Sequence, residues 1–217
     1  MIKVILFDYD DTLVLTFKNY VQRDLEVCRA LHLMEPPLYT YQRVWGLPWP
    51  MIIRQIHPDV KPDEFIHAYA KMHSSETTQE VKDMRQTIWT LAKQGYTLGV
   101  LSSKPSASLN SRLVFFDIKK HFTVAYGAED SAHHKPDPRA FSEPLQALRT
   151  HYTTPNEILY VGDLVIDAIA ARGVGIQFVG VLTGPTTRIE LLDAGVTADN
   201  ILESVRALPS WLEKYHA

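Results

Sequence analysis

Val4-Ile5-Leu6-Phe7-Asp8-Tyr9-Asp10-Asp11-Thr12 is the stretch from which the rest of the chain can be read. Four apolar residues without a polar interruption suit a strand buried on both faces, because a strand with one wet face alternates. The run then ends in Asp8, Asp10 and Asp11, which repel one another and are costly to desolvate without a cation. Four similar runs follow: Leu98-Gly99-Val100-Leu101, Val124-Ala125-Tyr126, Ile158-Leu159-Tyr160-Val161 and Phe178-Val179-Gly180-Val181-Leu182. Residues at helical spacing lie between the later runs: Ile88, Leu91 and Ala92 before the second strand, Phe141, Leu145 and Leu148 before the fourth. Strand–helix alternation predicts an α/β core built on a parallel sheet with right-handed crossovers.

From about Leu15 to Thr78 the pattern changes. Tyr20, Leu25, Val27 and Leu31 recur at helical spacing, and Pro36-Pro37 is expected to end that stretch. Further helical patches follow around Ile52, Ile53 and Ile56, then Phe65, Ala68, Tyr69 and Met72. The expected organisation is a core of residues 1–14 and 79–217 with an all-helical cap, 15–78, inserted after the first strand. The tail, Ile201 to Tyr215, is expected to be an amphipathic helix broken near Pro209.

Composition narrows the partners. The chain has 217 residues, 46% of them hydrophobic, which is far from a disordered composition. Its net charge of −3 disfavours bulk binding to a phosphate backbone, so no nucleic-acid partner is expected. The single cysteine, Cys28, cannot form an intramolecular disulfide and reads as a small core residue. No apolar run approaches the roughly 18 residues of a membrane span, and the first residues lack a signal-peptide pattern. A cytoplasmic protein without a membrane partner, monomeric or homodimeric, is the expectation.

In open α/β sheets ligands bind beyond the carboxyl ends of the strands. The first strand delivers Asp8, Asp10 and Thr12; the second delivers Ser102, Ser103 and Lys104; the fourth delivers Gly162 and Asp163, with Asp167 one helical turn later. Lys135, in His-Lys-Pro-Asp-Pro, precedes the helix leading to the fourth strand. Carboxylates, hydroxyls and a lysine on one edge fit a hard, oxygen-ligated cation such as Mg2+ beside a phosphate group. Taken singly, each has a plainer reading: a strand-end carboxylate as a helix N-cap, a lysine as a solvated side chain, Ser102-Ser103 as a turn pair.

With those residues in this order, the chain resembles the haloacid dehalogenase-like hydrolase superfamily, especially its capped phosphatases of the phosphoglycolate phosphatase type. The resemblance implies a Rossmann-like sheet with helices on both faces. It also implies Asp8 as nucleophile, forming an aspartyl-phosphate, and Asp10 as the acid that protonates the leaving alcohol and then activates water. Asp8, Asp163 and the backbone carbonyl of Asp10 would hold Mg2+, with Asp167 a ligand, a water-mediated contact or a group just behind them. Ser102, with Ser103, would bind phosphoryl oxygens, Lys135 would neutralise them and Asp8, and Thr12 would order the turn that aims the aspartates. Asp11 reads as a hydrogen-bonded turn residue. Within the cap, Trp45, Gly46 and Pro48 form a loop that faces substrate or packs internally. Arg43 and Arg54 flank it and are candidates for a second anionic group or for solvated surface.

The implied activity is Mg2+-dependent hydrolysis of a small phosphorylated metabolite. Asp10 argues against a dehalogenase, which has no leaving alcohol to protonate. A sugar-phosphate mutase of the same fold would keep both aspartates, and a non-catalytic binding protein could keep the fold alone.

Overall fold

The computed structural model describes residues 1–72 and 79–216. In chain order its regular elements are β1 (Val4–Phe7), β2 (Val14–Leu15), α1 (Phe17–Ala30), α2 (Leu38–Val44), α3 (Trp49–Ile56), α4 (Pro62–Met72) and β3 (Gln79–Glu80). Then follow α5 (Met84–Lys93), β4 (Thr97–Leu101), α6 (Ser106–Phe115), β5 (Phe122–Tyr126), α7 (Ser142–Ala147) and β6 (Ile158–Gly162). The last are α8 (Val165–Gly173), β7 (Gln177–Val181), α9 (Arg188–Asp193), β8 (Ile201–Leu202) and α10 (Leu208–His216). Six strands form one parallel sheet in the order β5-β4-β1-β6-β7-β8. The chain winds outward from β1 in one direction, then returns to wind outward in the other, as in Rossmann-like sheets. The reversal falls between β1 and β6.

β1 is buried along its whole length because it feeds two cores at once. Ile5 and Phe7 join a cluster with Leu159 and Val161 of β6, Ile88 of α5 and Leu113 of α6. Val4 and Leu6 point the other way, into a cluster with Tyr160, Phe141 and Ala171. That period-two division is why the run has no polar member.

The helical block has a core of its own. Phe17, Val27, Tyr41, Ile53, Phe65 and Tyr69, contributed by α1 to α4, pack together apart from the sheet. At its base β2 and β3 pair antiparallel, Val14 with Glu80 and Leu15 with Gln79, so the chain leaves and rejoins the sheet domain side by side. Two-residue strands carry no periodic signal, and the sequence pattern did not predict them. The boundary expected at residue 78 lies outside the described residues. α1 stops at Ala30, well before Pro36, and His32 takes a left-handed φ of 55° as the chain turns. Pro36 and Pro37 instead lead into α2. The tail also departs from expectation: Ile201 and Leu202 form edge strand β8, and Pro209 lies in the first turn of α10. A proline there breaks nothing, since its missing N–H has no helical partner to lose.

Inside the helical block, Asp24 is fully buried, and its carboxylate accepts from Tyr41 OH at 2.6 Å, His57 Nε2 at 3.0 Å and Tyr20 OH at 3.2 Å. Cys28 Sγ lies 3.6 Å from the same carboxylate, and burial pushes its thiol up to about 12, far from a reactive thiolate. Asp24→Ala should strand three buried donors and lower stability by about 3 kcal/mol or more, measured by urea denaturation. A loss below about 0.5 kcal/mol would show that water replaces the acceptor readily.

Candidate active site

The carboxyl ends of β1, β4 and β6 bring together the residues expected from the sequence. Asp8 follows β1, Ser102 follows β4, and Asp163 follows β6. All three are buried, as are Thr12, Lys135 and Asp167. The Lys135 ammonium donates to Asp8 Oδ1 at 2.9 Å, to Asp167 Oδ1 at 2.6 Å and to Tyr160 OH at 2.8 Å. Burial by itself would lower this lysine, but the charges of Asp167 and Asp8 outweigh it and hold it protonated, well above its ordinary value. Asp8 is pushed up to about 7, chiefly by burial, with Lys135 opposing and Asp167 adding to the rise.

Asp163 is the least satisfied group. Thr12 Oγ1 donates weakly to its Oδ1 at 3.4 Å, while its buried Oδ2 has no hydrogen-bond partner among the described residues. Burial first, then the charges of Asp11, Asp167 and Asp8, drive its carboxyl well above the usual range. Carboxylate oxygens of Asp8, Asp163 and Asp167 lie within 4.8 Å of one another, an all-oxygen set suited to a hard divalent cation. Gly184 makes the crowding possible, since a Cβ there would fall 1.8 Å from Asp163 Oδ2. Asp167 is differently placed: Oδ1 takes Lys135, and Oδ2 accepts the Leu164 N–H at 3.0 Å, ahead of α8.

Asp10 is half-buried at the mouth, where Lys104 Nζ reaches its Oδ1 at 3.3 Å. Lys104 stood on the right strand end in the sequence but had no assigned role. Tyr160 was read only as part of a strand, although a buried hydroxyl in an apolar run needs a partner and was in that sense a signal. Its OH also donates to the Leu101 carbonyl at 3.1 Å, joining β6 to β4 behind the lysine.

A cavity of about 190 Å³ opens over Asp8 and Asp10. Ser102, Ser103 and Lys104 line its sheet side; Trp45, Gly46 and Trp49 line the side of the helical block. Pro48 is buried and precedes α3 rather than facing the cavity. Arg43 and Arg54 do not line it either: both are exposed, because α2 and α3 turn Tyr41 and Val44, or Ile52, Ile53 and Ile56, inward. Arg23 of α1 lines the cavity, and sequence reading passed over it.

Asp11 connects the loop after β1 to the helical block. It adopts a φ of 55°, and its carboxylate accepts from the Thr16 and Phe17 N–H groups at the start of α1. Trp45 Nε1 donates to the same carboxylate at 2.9 Å, and the Trp45 ring packs edge-on against Phe17 at 5.1 Å. Asp11 is pushed up to about 6, mainly by burial, while the Thr16 and Phe17 N–H groups pull the other way. Gly46, at φ 90°, comes so close to Leu164 that a Cβ would fall 2.4 Å from Leu164 Cδ1. The Trp45-Gly46 loop is therefore held at Asp11 on one side and at Leu164, next to Asp163, on the other.

The arrangement is that of a phosphoryl-handling α/β hydrolase. The chain belongs to the haloacid dehalogenase-like hydrolase family, whose pattern it matches over residues 5–181. It is 30% identical over 184 residues to the pyrophosphatase PpaX of Bacillus cereus, covering 80% of each chain. A solved haloacid dehalogenase-like hydrolase from Bacteroides fragilis superposes with a TM-score of 0.82 at 27% identity, covering 96% of this chain and 100% of that one. A predicted phosphoglycolate phosphatase from Haemophilus somnus reaches the same TM-score, 0.82, at 22% identity, covering 96% and 97%, a likeness of fold. Among the described residues no helix is long and apolar enough to cross a membrane.

The bond between Trp45 and Asp11 should be measurable. Trp45→Phe keeps an aromatic ring against Phe17 but removes the donor, and should cost about 1.5–3 kcal/mol in urea denaturation, the range for a hydrogen bond to a charged group. An unchanged midpoint would show that the loop is held by packing alone.

Proposed function

We propose that the chain is a Mg2+-dependent phosphatase that hydrolyses a small phosphate monoester through an aspartyl-phosphate on Asp8. One observation carries this reading: the buried Asp8 carboxylate lies between a protonated lysine and an unpartnered buried oxygen of Asp163. A carboxylate left that way needs a cation, and the donors present are those a hard cation takes. Asp163 Oδ2, the Asp8 carboxylate and the Asp10 backbone carbonyl are the groups that would hold Mg2+. When bound, Mg2+ supplies the positive charge that lets Asp8 and a phosphoryl group approach as two anions.

The side chains divide the remaining work. An Asp8 oxygen attacks phosphorus, the bond from phosphorus to the ester oxygen breaks, and Asp10 gives its proton to the departing alcohol. Asp10 then takes a proton from water as that water attacks the aspartyl-phosphate, releasing inorganic phosphate and restoring Asp8. Ser102 and Ser103 bind phosphoryl oxygens, and Lys104 and Lys135 offset the charge that gathers there. Asp167 acts through Lys135, holding it in place, since both Asp167 oxygens are already engaged. Residues 15–78 serve as the cap, and its closure over the core excludes bulk water and admits small substrates.

Four measurements test this. EDTA should abolish activity, Mg2+ should restore it, and Asp163→Ala should remain inactive; full activity in EDTA would overturn the metal role. Asp8→Asn should eliminate turnover, since an amide is a feeble nucleophile of nearly the same shape. Asp10→Asn should slow turnover of an alkyl phosphate by about 10²–10⁴-fold. Rapid-quench kinetics with mass spectrometry of the protein should place the phosphoryl group on Asp8, and finding it on Asp10 would reverse the two roles.

A further inference from the structure

α1 presents Thr16, Asn19, Tyr20 and Arg23 to the cavity, a spacing that places all four on one helix face. Thr16 lies at the reacting end, with its N–H and hydroxyl on Asp11. At 1.5 Å per residue, Arg23 stands about 10 Å further along the helix. Between those ends the walls are mostly apolar and flat. Tyr20 and Trp45 meet with ring centroids 5.2 Å apart, Trp49 packs edge-on against Tyr69 at 5.1 Å, and Leu47 and Ile52 complete the band. The two basic residues lining the cavity are therefore separated in role: Lys104 beside Asp10, and Arg23 toward the other end of the α1 face.

Inorganic pyrophosphate or a two-carbon phospho-acid carries all its charge within a few bonds of phosphorus. Such a molecule would fill the reacting end and set anionic oxygens against aromatic walls, a costly desolvation. A flat ring attached through the ester oxygen would instead lie against Tyr20, Trp45 and Trp49. An arginine at the far end suits a planar acid, which it can grip through two parallel hydrogen bonds.

We propose that Arg23 and Asn19 form a distal subsite, and that the preferred substrate is a phosphate ester of a ring-bearing alcohol with an acidic group on the side away from phosphorus. This rests on the phosphatase reading of the same site.

The test compares kcat/KM of the full chain on benzyl phosphate, 4-carboxybenzyl phosphate, inorganic pyrophosphate and 2-phosphoglycolate. The carboxylated benzyl ester should exceed plain benzyl phosphate by about tenfold or more, the range of one charge-assisted bidentate contact. Arg23→Gln should bring that ratio close to one, and because the comparison is internal, a general loss of folded protein cannot produce it. Trp49→Ala should lower both benzyl esters relative to 2-phosphoglycolate. Calorimetry on Asp8→Asn, with 4-carboxybenzyl phosphate as titrant, should show the same dependence on Arg23 without turnover. A preference for pyrophosphate or 2-phosphoglycolate, or a ratio that Arg23→Gln leaves unchanged, would overturn the distal subsite while leaving the phosphatase reading intact. Failure to hydrolyse any of the four would overturn both.

Discussion

A single buried ammonium joins the two halves of this sheet at the point where its winding reverses. Lys135 Nζ touches Asp8, which follows β1, and Asp167 and Tyr160, which belong to the β6–α8 unit. Backbone pairing joins β1 to β6 as far as the Asp8 N–H, which donates to the Val161 carbonyl at 2.8 Å, and beyond that the strands part to form the crevice. Across the crevice the charge takes over from the ladder. Burying an ammonium is costly unless it is fully paired, and removing one partner of such a cluster typically costs about 3–5 kcal/mol. The lysine is therefore as much a structural tie as a chemical group, and its surroundings tolerate little change. The protein's own charges still do not balance there: Asp8, Asp163 and Asp167 meet one ammonium, and their carboxylate oxygens lie within 4.8 Å of one another.

The helical block is bound into the same economy of charge through Asp11. Its carboxylate caps the first turn of α1 and holds the Trp45 indole, and Asp11 lies next to Asp10 in the loop after β1. Movement of the Trp45-Gly46 loop must therefore disturb the peptide that carries the proposed acid. On the opposite side Gly46 rests on Leu164, whose N–H holds Asp167. The Trp45-Gly46 loop thus touches the residues on both sides of the proposed reacting centre.

Much of this was readable in the sequence, and the reasons differ by element. The central strands β1, β4 and β6 were visible because a strand buried on both faces must be apolar almost throughout, and Ile5 and Leu6 serve two separate cores; β5 and β7 are less buried and showed through apolar runs of their own. Asp8, Asp10, Ser102, Lys135, Asp163 and Asp167 were visible because strand ends on a parallel sheet converge. What spacing does not convey is which way a helix turns about its axis. Arg43 and Arg54 were plausible anion ligands by type, yet the Val44 and Ile53 faces bury themselves and turn both arginines to solvent. Arg23 carries no pattern that marks it in the sequence, and only the docking of α1 sets it on the cavity. Tyr160 and Lys104 required knowledge of contacts across the sheet edge, and β2, β3 and β8 were too short to leave a period.

Among the described residues, two clusters place three potential metal donors within reach of one another, Asp8 with Asp163 and Asp167, and Asp24 with Cys28 and His57. Proximity alone does not separate them; hydrogen-bond accounting does. Asp24 is the single acid of its group, and Tyr20, Tyr41 and His57 donate to both of its oxygens. Its thiol neighbour is held in the neutral form, so the cluster is complete as a buried polar network and a cation there would have to displace existing bonds. The sheet-edge cluster has three acids and one ammonium, and Asp163 Oδ2 has no donor among the described residues, so that oxygen could take a cation without losing a bond. The same physical rule, that a buried carboxylate must be matched, therefore makes one cluster part of the cap's scaffold and leaves the other open to a ligand.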